Sequence, residues 1–195
     1  MKTAIAIPTN RGFKAKTVES LLGLVAHSKL AYFFTIPTEG YNVAENRNFS
    51  VAKAIKSDCT HILFSDDDMV YPDDALERLL SHDKDAIGAL YSVRRLPPAL
   101  VIEYNKESSV ISDDEARKAM KIFRCDAIGT GFLLVKTDVF KKIKSPFFGY
   151  KWYDNGMVKM STDWFFCEKL REAGIEIWAD PLVVDIKHIG DYEYE

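Results

Sequence analysis

His-Ile-Leu-Phe-Ser-Asp-Asp-Asp-Met-Val-Tyr-Pro-Asp-Asp, residues 61–74, is the stretch from which the rest of the chain can be read. Ile62, Leu63 and Phe64 make an apolar run too short for a helix and suited to a buried parallel strand. Asp66, Asp67 and Asp68 follow directly. Pro72 stops the strand, and Asp73-Asp74 open a helix that runs through Leu80. Open α/β sheets bind ligands beyond the carboxyl ends of their strands. Three neighbouring carboxylates at such a place repel one another unless a cation or a set of donors neutralises them. Magnesium in particular sits on one or two carboxylates plus substrate phosphates. The stretch therefore predicts a metal–diphosphate site. The plainer reading, acids that complement a helix dipole, accounts for Asp73 and Asp74. It accounts poorly for Asp66 and Asp68, which lie before the proline.

Working outward, residues 3–7 read as a first strand ended by Pro8-Thr9-Asn10-Arg11-Gly12, a loop of turn formers with one cation. Residues 17–27 carry Val18, Leu21, Leu22, Leu24 and Val25 at amphipathic-helix spacing. A second strand at 31–36 and a second helix at 44–56, with Val51, Ala52 and Ile55 inward, complete a β-α-β-α-β-α order up to the acidic strand and its helix. That order predicts an α/β fold with a mainly parallel central sheet flanked by helices. Further strands are expected at 86–93, 99–104, 123–128 and 132–135, with a polar surface loop at 106–117 and a short helix at 137–143. Residues 144–159 read as irregular. A helix from Ser161-Thr162-Asp163 to Ala173 is closed by Gly174, and strands at 176–179 and 183–188 precede an acidic tail. Nothing in the sequence looks like a repeat or a linker, which predicts one domain over residues 1–195.

Composition narrows the function classes. A length of 195 residues suits one domain with a well-buried core. A formal net charge of -3 and the lack of a dense Lys/Arg stripe argue against a specific nucleic-acid partner. Cys59, Cys125 and Cys167 are odd in number and widely spaced, which points to reduced thiols. Met1-Lys2-Thr3 runs straight into the first strand, so neither a signal peptide nor a membrane span is expected, and the predicted location is cytoplasmic.

Taken in order, Ala-Ile-Ala-Ile-Pro-Thr-Asn-Arg-Gly (4–12), Asn46-Arg47-Asn48, Ser-Asp-Asp-Asp-Met-Val-Tyr-Pro (65–72), Gly-Thr-Gly-Phe-Leu-Leu-Val (129–135), Ser-Thr-Asp-Trp-Phe-Phe-Cys (161–167) and the late His188-Ile189-Gly190 resemble the GT-A-fold, family-2-like glycosyltransferases, especially small phage and bacterial ones. The likeness covers nearly the whole chain. It implies a nucleotide-diphospho-sugar transferase fold and transfer of a sugar from a nucleotide-sugar donor, UDP- or GDP-linked, with Mn2+ or Mg2+. The acceptor, whether glycan, lipid-linked or protein, is not indicated.

Carried over position by position, Asp66 and Asp68 are the ends of the family's Asp-x-Asp, with Asp67 between them on the donor. Asp68 binds the metal in this reading, and Asp66 holds the ribose or shares the metal. A cation there neutralises the diphosphate as it leaves. His188 matches a metal-binding histidine; a strand-edge structural hydrogen bond is its plain alternative, though imidazole is acceptable to manganese. Asp163 matches the base that deprotonates the acceptor in inverting enzymes. Helix-dipole compensation is the reading without the resemblance, and Thr162-Asp163 departs from the family's more usual Glu-Asp. Thr9 and Arg11 stand where the family holds base and ribose, against a solvated turn. Arg47 could reach the diphosphate or fix the acids, against a helix-surface arginine. For Arg94 and Arg95 a charged loop is the plainer account, and guarding the groove the other.

Gly129-Thr130-Gly131 lacks the third glycine of a dinucleotide fingerprint and precedes a strand; it suits close backbone approach to a sugar, or a tight turn. Trp152-Tyr153, beside the exposed turn expected at Asp154-Asn155-Gly156, is the aromatic pair least explained by core packing. A sugar-1-phosphate nucleotidyltransferase is the rival enzyme, though Pro8–Gly12 lacks its glycine-rich basic loop. A degenerate nucleotide-sugar or carbohydrate-binding module is the non-enzymatic rival. The chain is short for its family, which leaves room for an acceptor surface supplied by a partner or a second copy.

Overall fold

The computed structural model describes residues 1–9, 12–28, 30–35, 42–94, 97, 99–104, 107–108, 118, 121–183, 185–190 and 193–194. Numbering strands in chain order, a seven-stranded sheet holds β1 (Lys2–Ala6), β2 (Ala31–Thr35), β3 (His61–Ser65), β5 (Ala86–Ala89), β8 (Phe123–Cys125), β10 (Phe132–Lys136) and β13 (Ile177–Asp180) in the order β2-β1-β3-β10-β5-β13-β8. Three small sheets surround it. They are β4 (Met69–Val70) with β14 (Lys187–Ile189) and β15 (Glu193–Tyr194), then β6 (Ile102–Tyr104) with β7 (Glu107–Ser108) and β9 (Ala127–Ile128), and the pair β11 (Lys151–Trp152) and β12 (Val158–Met160).

Both faces of the large sheet are apolar, which is why its strands read as unbroken hydrophobic runs. Ala4, Ala6, Ile62, Phe64, Leu133 and Val135 point to one side, where α2 (Val43–Lys56) and the helix Thr162–Glu172 pack. Ile5, Ile7, Leu63, Phe132 and Leu134 point to the other, under α1 (Ala15–His27) and α3 (Ala75–Ser81). The mainly parallel α/β architecture is present: β2, β1, β3, β5 and β13 run one way.

The departure that matters is β10, which lies antiparallel between β3 and β5. Its direction sets Gly129-Thr130-Gly131 beside the carboxyl end of β3, where the Asp66 amide donates to the Gly131 carbonyl at 3.1 Å. Thr130-Gly131 is a turn between β9 and β10, and neither glycine has positive φ. A side chain at Gly129 or Gly131 would strike the buried Tyr91, whose Oη lies 2.1 and 2.7 Å from the two Cβ positions.

Three further expectations shift. The buried stripe of α2 is Ala44, Arg47, Val51 and Ala54, while Ala52 and Ile55 are exposed. A charged residue belongs to the inward face, and an apolar count alone misphases the helix. On α1 the buried positions are Thr17, Ser20 and Leu24, and Val18 and Leu22 are exposed; Ser20 Oγ takes the Tyr71 amide at 3.3 Å, and Gly23 lies against the Asp73 carboxylate. Residues 144–159 are not wholly irregular, because β11 and β12 form a hairpin. Most of the expected loop at 106–117 lies outside the described residues. Among the described residues, no helix is long and apolar enough to cross a membrane.

Candidate active site

Four elements deliver their ends to one place: the loop after β3, the first turn of α2, the first turn of the helix Thr162–Glu172, and β14. Helix α2 starts where it does because Asn42 and Glu45 form a capping box, with Glu45 N donating to Asn42 Oδ1 at 3.0 Å and Asn42 N to Glu45 Oε2 at 3.4 Å. That start puts Arg47 in the second turn, 3% exposed. Strand β14 pairs with β4, His188 opposite Met69, and the Ile189 amide donates to the Asp68 carbonyl at 2.7 Å. This pairing carries His188 from the far end of the chain to the acid triplet.

Pro8, Val43, Asn46, Arg47, Asp66, Asp67, Asp68, Arg94 and His188 line a cavity of about 320 Å³. Arg47 is its fulcrum. Nη1 donates to Asp163 Oδ1 at 2.5 Å and Nη2 to Asp66 Oδ1 at 3.0 Å. Burial works against the guanidinium charge, but Asp163 and Asp66 outweigh it and its pKa is raised. The bidentate fork of arginine suits this bridge, and a lysine could not span it. Asp163 Oδ1 also accepts from Thr130 Oγ1 at 3.0 Å, whereas Oδ2 has only the Thr130 amide at 3.4 Å. No hydrogen bond runs from Asp163 to its own helix end, where the N-cap Ser161 makes no side-chain cap either. The bonds of the carboxylate thus go to Arg47 and Thr130 rather than to its own helix end.

Asp68 forms the second cluster. Its Oδ2 accepts from Arg94 Nη1 at 2.5 Å, and its Oδ1 lies 3.0 Å from His188 Nε2. Burial pushes this carboxyl up, but the hydrogen bond and charge of His188 and the charge of Arg94 hold it below the usual carboxylate range. Asp66 behaves oppositely: burial, then the nearby Asp163 and Asp68, raise it despite Arg47.

The donor set fits a divalent cation through two residues. His188 Nδ1 lies 3.3 Å from the Ser92 carbonyl; in the neutral ring with its proton on that nitrogen, as against the charged ring that hydrogen-bonds Asp68, Nε2 turns a lone pair toward a carboxylate oxygen. Two electron pairs so placed call for a proton or a cation. Their 3.0 Å separation matches neighbouring ligands on an octahedral ion with bonds of about 2.1 Å, which sit about 3 Å apart. Among the described residues, no group of three or more His, Cys, Asp or Glu side chains converges as a metal site. The share that the chain would offer a cation is thus the Asp68–His188 pair. Asp66 can join only through Oδ2, because Oδ1 is held by Arg47.

Arg47, Asp66, Asp67, Asp68 and His188 therefore share one cavity, and Asp163 is tied to it through Arg47. Thr9 is buried next to Pro8, with Oγ1 accepting from the Gly12 amide at 3.0 Å, a turn contact. Arg11 and Arg95 lie outside the described residues. Sequence reasoning did not single out Tyr91, which donates nothing to the acids but receives the Gly131 amide on Oη at 2.8 Å and stands edge-on to the His188 ring, centroids 5.7 Å apart. Nor did it single out Thr130, whose position between two glycines was the available signal. Arg94 is more than a charged loop residue.

Replacing Arg47 by methionine is expected to cost about 3–5 kcal/mol of folding free energy, because it leaves Asp66 and Asp163 facing each other without their shared cation. Urea unfolding at neutral pH checks this. A loss under about 1 kcal/mol, the size of an exposed pair, would mean that the bridge carries little.

The sequence matches no protein-family model and no curated protein. Solved structures do resemble the fold. A197 from STIV superposes with a TM-score of 0.66 at 18% identity, over 98% of this chain and 87% of that one. GalNAc-T7, crystallised with UDP, GalNAc and Mn2+, gives 0.60 at 8% identity, over 93% of this chain and 42% of its own. TarS from S. aureus gives 0.54 at 14% identity, over 93% of this chain and 58% of its own. The chain thus spans roughly two fifths to three fifths of these last two proteins. At such identities the likeness speaks for the fold, and the fold is GT-A-like.

Proposed function

We propose that residues 1–195 form one catalytic domain that transfers a sugar from a UDP- or GDP-linked donor to an acceptor hydroxyl with inversion, using Mn2+ or Mg2+, in the manner of small phage or bacterial family-2-like glycosyltransferases working in the cytoplasm. The observation that carries this is the meeting of Asp68 and His188, 3.0 Å apart, in an acidic cavity at the carboxyl end of β3. These two residues hold the cation, with Asp66 on the ribose or sharing the metal and Asp67 beside it on the donor. Bound there, the cation neutralises the charge that grows on the departing diphosphate. Thr9 and Arg11 take the base and ribose.

Asp163 Oδ2 is the oxygen left to take the proton of the acceptor hydroxyl. The acceptor oxygen then bonds to the anomeric carbon as the bond from that carbon to the diphosphate oxygen breaks. Arg47, bonded to both carboxylates, fixes Asp163 relative to Asp66. The test is release of UDP or GDP from a panel of nucleotide sugars, dependent on Mn2+. Release of pyrophosphate from a nucleoside triphosphate plus a sugar phosphate would establish the nucleotidyltransferase instead.

Arg94 has a part in this scheme. Its side chain is 49% exposed and pairs with Asp68 Oδ2, where a positive charge opposes a bound cation. Arg94 leaves Asp68 when the donor enters and turns to the diphosphate. Arg94→Ala is accordingly expected to bind Mn2+ without nucleotide about twofold to fivefold more tightly, the scale of a partly exposed charge pair, and UDP or GDP more weakly. Calorimetric titration of each ligand checks both; unchanged Mn2+ affinity would leave Arg94 as an ornament of the loop.

A further inference from the structure

The hairpin of β11 and β12 springs from the site at both of its feet. At the entering foot, Asn48, next to Arg47, clamps the backbone: Oδ1 accepts the Phe147 and Phe148 amides at 2.8 and 3.0 Å, and Nδ2 donates to the Phe148 carbonyl at 2.8 Å. At the leaving foot, Met160 is followed by Ser161, the N-cap of the helix whose first turn holds Asp163. An ion pair from Lys151 to Glu168 braces the hairpin against that helix. The platform is therefore held in a fixed relation to the Arg47–Asp163 pair before any ligand arrives, which lowers the ordering cost of binding.

Four large apolar side chains are exposed on the hairpin. Trp152 is 57% exposed and Tyr153 52%, and Met157 and Val158 are exposed beside them. Tyr150 continues the row inward: its ring lies 5.6 Å from that of Trp152, and its phenol feels the charges of Arg47 and Asp163. Apolar rings gathered on one projecting element mark a contact surface. The apex decides its chemistry. Asp154, Asn155 and Gly156 cap the hairpin, all exposed, in a turn held by Gly156 N to Tyr153 O at 2.9 Å and Met157 N to Asn155 Oδ1 at 3.0 Å. The charges at the apex, Asp154 and the Lys159 ammonium 5.7 Å from the Tyr153 ring centroid, oppose entry into lipid, because a charge in hydrocarbon is costly. Aromatic faces flanked by a carboxylate and an amide instead match a sugar ring, which offers C–H faces to the rings and hydroxyls to the polar groups.

We propose that this hairpin is the acceptor subsite and that the acceptor is a carbohydrate, one sugar ring stacking on Trp152 and Tyr153 while the reacting hydroxyl reaches Asp163. The assignment rests on the glycosyltransferase reading of the site. Both rings are exposed, so Trp152→Ala and Tyr153→Ala fold as the parent does, which the thermal midpoint verifies.

The probes are glucose, galactose, N-acetylglucosamine and their β-linked disaccharides, with UDP and GDP affinity measured on the same samples. At least one saccharide is expected to quench the Trp152 emission and to accept sugar. In each variant its KM should rise about tenfold or more, with kcat at saturating acceptor and nucleotide affinity retained. If nucleotide binds but no saccharide responds, or if KM is unmoved in both variants, the hairpin assignment is overturned and the donor half of the reading stands. A blue shift of Trp152 emission on phosphatidylcholine–phosphatidylglycerol vesicles, or self-association lost in Trp152→Ala, overturns it in favour of a bilayer or a second copy. Absence of nucleotide binding in the parent defeats the underlying function and the acceptor subsite with it.

Discussion

Asp163→Asn is expected to lower turnover about 10²–10⁴-fold, the range of a lost general base, with nucleotide affinity unchanged. The substitution keeps shape and removes charge. Asp163 Oδ1 is engaged by Arg47 and Thr130, and Oδ2 carries only a 3.4 Å contact, so an amide can retain the structural bonds on one side and present a group that cannot accept a proton on the other. Arg47 still has Asp66 at 3.0 Å, which keeps the guanidinium paired and the fold intact. Single-turnover transfer in the presence of saturating donor, alongside a thermal midpoint to confirm folding, measures the effect. Turnover within about threefold of the parent, under 1 kcal/mol of barrier, would reduce Asp163 to a counter-ion of Arg47. A helix-dipole role alone predicts a loss of stability with no loss of turnover, so the two readings separate cleanly.

Asp68→Ala should abolish the manganese-dependent stabilisation that UDP or GDP confers. A ligand present at about a hundred times its dissociation constant adds about 2.7 kcal/mol to folding. For a chain of this length each kcal/mol moves the midpoint by about 2–4 °C, so the parent should rise by about 5–10 °C with nucleotide plus Mn2+ and much less with chelator. The variant loses both Oδ1, which faces His188, and Oδ2, which faces Arg94, and the remaining imidazole is one ligand where two were offered. His188→Ala should fail in the same way. Equal shifts with Mn2+ and with chelator in the parent would sink the metal reading of the pair while leaving a nucleotide site. The apo variant should remain folded, because what fixes this loop is the backbone bond from the Ile189 amide to the Asp68 carbonyl.

Much of this was readable before any coordinates. The run Ile62-Leu63-Phe64 lies at the sheet centre as expected of a strand buried on both faces, and the acid triplet does stand at its carboxyl end. The order of strands and helices through α3 was legible because each depends on neighbours a few residues away. What misled was the assumption that an inward helix face is apolar. Arg47 sits on the buried face of α2 because two carboxylates from distant elements meet it there, and no local periodicity contains that information. Arg94 was similarly misjudged as a loop charge, since its partner Asp68 is 26 residues away.

By itself the sequence determined most strands of the large sheet, where α2 and the helix Thr162–Glu172 begin, and that the acids gather after β3, though not the β11–β12 hairpin. Those outcomes follow from hydrophobic spacing, capping and turn chemistry, forces that act within a few residues. Only the tertiary structure decided that Arg47 and Asp163, 116 residues apart, share a bond, that His188 arrives at Asp68, and that β10 enters antiparallel to set Thr130 and Gly131 at the site. The reason is that such meetings depend on strand order and direction, which are chosen by the burial of both sheet faces at once and not by any single stretch of chain.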